Sequence, residues 1–138
     1  MILKNADVLI LYETLSRLMG NKELKFNVKV GYFMAKNKAA LESIANVVYD
    51  MRRELVMNYG TTDGDEIQIP KESMEELNSK VEELLNVENE VDIIQVPIEM
   101  LEKSEMNFED IVGLTYMIQP FDSSEVLMPE KELDVIDS

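Results

Sequence analysis

Cysteine and histidine are both absent from the 138 residues, and the two absences remove most familiar chemistry. Without thiols there is no disulfide framework, no thiolate nucleophile and no cysteine-based zinc site. Nothing marks an oxidising compartment, so the cytosol is the default expectation. Without imidazole the Ser-His-Asp and Cys-His arrangements, the histidine zinc sites and the commonest acid-base group are excluded. Glycine (5) and proline (4) are scarce, which with a 46% apolar content argues against wholesale disorder. No apolar run approaches the roughly 18 residues that span a bilayer, and the amino terminus is polar by Lys4 without a charged leader or a small-residue cleavage site. Neither membrane insertion nor secretion is expected. Glycine-rich phosphate loops of both the dinucleotide and the nucleoside-triphosphate type are also missing, so nucleotide binding has no support.

What the chain has in excess is negative charge, and it is unevenly placed. Residues 1–60 carry 6 acidic and 9 basic side chains, a net of +3, whereas residues 61–138 carry 22 acidic and 4 basic, a net of −18; the two sum to −15. A block this acidic repels phosphate backbones, which disfavours nucleic acid and favours a basic protein surface as partner. The plainer reading is a solvated face that keeps a small domain soluble.

Length and hydropathy patterning predict one compact domain over residues 1–120 and a loose acidic tail over 121–138, where six acids face Lys131 alone. Val126, Leu127 and Met128 are the residues able to anchor part of that tail. Asn5 is placed to cap a first helix carrying Val8, Leu11, Tyr12, Leu15, Leu18 and Met19, which Gly20 ends in a left-handed position. Leu24 to Val30 reads both ways, since Phe26, Val28 and Val30 alternate as in a strand. The stripe Val30, Phe33, Met34, Leu41, Ile44, Ala45, Val48 and Leu55 favours a long helix from about Val28 to a stop at Tyr59-Gly60. Thr61 to Asp65 predicts a turn, and Glu66 to Ile69 a short edge strand stopped by Pro70. Lys71 to Leu85 is an amphipathic helix with Met74, Leu77, Val81, Leu84 and Leu85 on one face. Val87 to Val96 is the best strand candidate, expected to pair with Ile67 to Ile69 across that helix. Pro97 to Glu102 predicts one helical turn. Asn107 and Asp110 form a capping-box signature for a last helix with Phe108, Ile111, Leu114 and Ile118, ended by Pro120. The expected class is α+β, mainly helical, with three to four helices and a small two- to three-stranded sheet.

Only carboxylate chemistry survives the absences above. Paired acids bind Mg²⁺ or serve as glycosidase acid and base when they converge in a cleft, whereas most of these fall on outward helical faces. Thr61 to Asp65 has the Asp-x-Asp and turn glycine of a calcium loop, but aligning Gly64 with the loop glycine puts Tyr59 and Pro70 at ligand positions, and the match fails. No metal, no cofactor and no catalytic residue are expected. Lys22, Lys25, Lys29, Lys36 and Lys38 interleave with Phe26, Tyr32 and Phe33, a pattern that touches nucleic acid in some proteins; core aromatics with solvating lysines is the stronger reading. The ten methionines, at helical spacing, read as core filler.

Several elements also bear a resemblance. Val28-Lys29-Val30 leads through Ala35-Lys36-Asn37 into a long helix closed by Tyr59-Gly60. An acidic turn and the run from Glu83 to Ile93 follow, and the last helix ends Tyr116-Met117-Ile118. Together they resemble the small acidic proteins of unknown function of tailed bacteriophages, over about residues 5–118. The resemblance implies a phage or prophage setting, hence a host-cell cytoplasm, and carries no functional residues. The expected function is an acidic protein-protein interaction module, a phage product that inhibits a host defence or nucleic-acid-binding protein through its acidic carboxy-terminal half. The alternative is a phage structural or assembly protein forming a homo-oligomer, one copy's basic helix against another's acidic face. The candidate partner-binding residues are the densest charge cluster: Glu75, Glu76, Glu82, Glu83, Glu88, Glu90 and Asp92.

Overall fold

The computed structural model describes residues 1–102 and 104–120. In chain order these form β1 (Ile2–Lys4), α1 (Asn5–Gly20), α2 (Val28–Tyr59), β2 (Thr61–Asp63), β3 (Glu66–Gln68), α3 (Lys71–Leu85), β4 (Glu88–Glu90), α4 (Ile98–Glu102) and α5 (Phe108–Gly113), then a 3-10 turn, Thr115–Met117. The protein is mainly helical α+β, with two small two-stranded sheets among the described residues. The acidic tail expected over 121–138, with its Val126, Leu127 and Met128, lies outside the described residues.

The helices follow their apolar spacing. In α1, Val8, Leu11, Leu15 and Leu18 are buried, and in α2 Val30, Met34, Leu41, Ala45 and Val48 face them. The segment that reads both ways resolves as helix from Val28, because the Asn27 side-chain oxygen accepts the Val30 N–H at 2.8 Å and caps the helix there. Length then decides shape. α2 has 32 residues and α1 has 16, about 48 Å and 24 Å, so α1 runs out before α2 does. Past Val48 no α2 side chain is fully buried.

Both sheets differ from the expected pairing. Ile67 does not meet the 87–96 segment; it pairs with Thr62 in a local hairpin (Thr61↔Gln68, Asp63↔Glu66) whose two-residue turn puts Gly64 at φ 69°. Closing two residues costs far less chain entropy than bringing in a strand twenty residues away. β4 instead pairs antiparallel with β1, in the register Ile2↔Glu90, Leu3↔Asn89, Lys4↔Glu88. Its strand is three residues, not ten, and Val87 lies outside it, half exposed.

Three further expectations are corrected. Asn5 does not cap α1, since Lys4 occupies the cap position; Asn5 is buried, and its Nδ2 donates to the Leu84 carbonyl at 2.8 Å while its Oδ1 accepts from Asn89 Nδ2 at 2.8 Å. It joins α1 to the end of α3 and to β4. Gly20 is the last residue of α1 and takes no left-handed conformation, Asn21 following at φ −89°. The last helix stops at Gly113, although the Asn107–Asp110 capping box forms as expected. A Cβ on Gly113 would collide with the Thr14 side chain of α1, so the chain draws close there and tightens into the 3-10 turn, burying Leu114 and Met117. Phe108, at the start of α5, is 81% exposed. Gly113→Ala should therefore cost about 1–3 kcal/mol in urea unfolding, and Thr14→Ala in the same chain should restore part of it.

Candidate functional site

The geometry of the acidic surface follows from α3. Leu77 and Leu84 turn inward, and Glu75, Glu76, Glu82 and Glu83 are all exposed. Positions seven apart lie two turns apart on one face, so Glu75 with Glu82 and Glu76 with Glu83 form two parallel rows. Asn86 ends the helix, and the chain passes into β4, where Glu88 and Glu90 share the outward face of the ribbon with Ile2 and Lys4. Asp92 follows, exposed. The seven candidate carboxylates thus occupy one continuous stretch of chain at the surface. Glu90 alone among them has a cationic partner among the described residues, its Oε2 accepting from the N-terminal ammonium at 2.9 Å. Tyr59 at the end of α2 lies beside Glu76, and burial, then that carboxylate, raises its pKa above the ordinary tyrosine value.

The described residues contain no group of three carboxylates placed to hold a metal ion. No helix among them is long and apolar enough to cross a membrane. The lysine-aromatic cluster divides: Phe26 and Phe33 pack against the core, and Lys29 and Lys38 lie over the Phe33 and Tyr12 rings at 5.9 and 6.0 Å. Tyr32 and Val28 stay exposed. Arg17 crosses to the buried Asp110 at 2.5 Å, tying α1 to the cap of α5.

A groove beside the acidic rows is the feature that sequence reasoning missed. Beside the start of α1, with Asn5 and Asn89 at its rim, a cleft of about 410 Å³ opens over Ile44, Val47, Val48, Met51, Leu84 and Val87. A second of about 370 Å³ continues it along α2, sharing Met51, Leu84 and Val87 and adding Glu54, Leu55, Asn58, Lys80 and Glu83. The floor is apolar, and Glu83 of the predicted set stands on its edge. The signal was available: Val47 and Met51, four apart, form a second apolar row beside the buried stripe of α2.

Tyr49, on another side of α2, donates to Glu13 Oε2 at 2.5 Å. Burial first, then the bond to and charge of Glu13, push its pKa from 10.0 up to about 12. An unfolded tyrosine ionises near pH 10 while the folded one holds its proton to about 12, so this contribution is intact below pH 10 and lost as pH rises through 12. Tyr49→Phe should make the fall in stability between those values shallower, as read from unfolding midpoints.

Fold and surface together define a mainly helical α+β protein with a segregated acidic edge and an apolar groove beside it. No protein-family model, no curated protein and no solved structure matches the chain.

Proposed function

We propose that the protein is an acidic protein-protein interaction module that acts by binding and not by catalysis, engaging a partner with a basic surface through α3 and β4. What supports this is that six of the seven clustered carboxylates are exposed without a cationic partner among the described residues. A structural acidic face would be expected to pair its acids with its lysines, whereas Lys4 and Lys80 stand among these carboxylates without an ion pair among the described residues. This one presents a field that speeds encounter with a basic surface and repels phosphate chains. In the setting that the resemblance implies, a phage product in the host cytoplasm, such a surface suits an inhibitor of a host defence or nucleic-acid-binding protein, its carboxylates standing where phosphates would lie. Affinity capture from a nuclease-treated bacterial lysate tests it: a basic protein retained at physiological salt and released at high salt is expected, and capture of nothing but the bait would count against it.

A second reading, a phage structural or assembly protein built as a homo-oligomer, draws on the exposed Val28 and Tyr32 beside Lys29 and Lys36. Mass in solution separates the two. An oligomer that dissociates with salt favours the second reading, and a persistent monomer the first.

A further inference from the structure

The groove between α2 and α3 has the shape, lining and position of a binding site. Val47, Met51 and Val87 are 56%, 48% and 50% exposed, so half of each apolar side chain is left in water along one line. The groove follows α2 from Ser43 to Asn58, sixteen residues rising about 22 Å, the length of a helix of about four turns. Glu54 and Glu83 stand on its edge against Lys80, and the unpaired rows of α3 continue outward from Glu83. From these observations we infer that the groove takes a cationic amphipathic segment of the partner protein, about four helical turns long, with its apolar side chains on Val47, Met51 and Val87 and its Lys or Arg side chains toward Glu54 and Glu83.

Charge selects this occupant from the others. The chain's own residues 121–138, six acids and one lysine, are repelled by that edge, and a second copy laid groove to groove sets Glu54 and Glu83 against the same two carboxylates. An apolar floor inside an acidic field is the arrangement that lays an amphipathic helix in a groove, steered by charge and held by burial. The inference rests on the reading of the partner as a basic protein, and it moves the source of affinity from the exposed carboxylates to the groove floor.

The test uses the full chain and a synthetic Leu/Lys amphipathic peptide of about fifteen residues, the length set by the groove, with a Leu/Glu peptide as control, read by fluorescence anisotropy. Val47→Asp with Met51→Asp removes the floor and makes the protein more acidic. Loss of Leu/Lys binding in that variant, with an unchanged unfolding midpoint and no Leu/Glu binding to the native chain, is the expected result. Binding equal to the native chain's would overturn the groove, and the acidic-surface reading would still stand if Glu75→Lys with Glu82→Lys then weakened it. An unfolded Asp variant transfers the decision to Val47→Ser with Met51→Ser, for which at least a tenfold loss is expected and no loss overturns the inference. A native chain that binds neither peptide, or that proves to be a dimer with the groove covered by its second copy, overturns it as well.

Discussion

Changing Glu75, Glu82, Glu83 and Glu88 together to Lys should weaken the captured partner's binding by about two orders of magnitude, each exposed charge contributing modestly and reversal doubling its effect. All four side chains are exposed, and none makes an ion pair among the described residues. The fold therefore loses nothing when they change. Net charge moves from −15 to −7, which relieves like-charge crowding, so the unfolding midpoint should stay level or rise. Weaker binding without lower stability is the joint result to look for in titrations and thermal melts. A fall in both would mean that the residues support the fold, and the surface would no longer be a candidate.

The second large effect concerns how the acidic strand is held. Asn37 of α2 is buried, its Nδ2 donating to the Ile94 carbonyl at 2.9 Å and its Oδ1 accepting the Ile94 N–H at 2.7 Å. One side chain thus satisfies both backbone groups of a residue that lies in no sheet. This fixes the run from Asp92 to Val96, and Val96 in turn bonds Met117 and Gln119. Asn37→Ala orphans both groups and should cost about 2–4 kcal/mol in urea unfolding. Asn37→Leu separates causes, since it refills the volume without the bonds. A Leu variant as stable as the native chain would show that packing alone holds the segment there.

Asn37 also shows where sequence reading stops. In sequence it is a weak helix residue in a long stripe, and nothing nearby announces a partner 57 positions away. Asn5 misled for the same reason: a helix-start asparagine reads as a cap until Leu84 and Asn89 arrive to bond it. Local determinants are legible. The bounds of α3 coincide with its amphipathic period between Pro70 and Asn86, the start and end of α2 with Val28 and Tyr59, and the Asn107–Asp110 box with the start of α5. Strand pairing was not legible, because Ile2 to Lys4 is three residues long and its register is set by residues 88–90. The break at Gly113 depends on Thr14, a contact that has no trace in the last helix's own pattern. As for the site, the carboxylates were visible as composition. Of the groove only the row of Val47 and Met51 is legible, because its other wall, Leu84 and Val87, comes from the end of α3.

On the proposed function, α3, β4 and the groove beside them form the face that meets the partner. Backbone hydrogen exchange of the full chain, with and without the captured partner, tests it most directly. Slowed exchange is expected at residues 47–58 and 75–92, with Lys22 to Lys38 unchanged. Protection confined to the lysine-rich start of α2, with the acidic face exchanging as in the free protein, would contradict it.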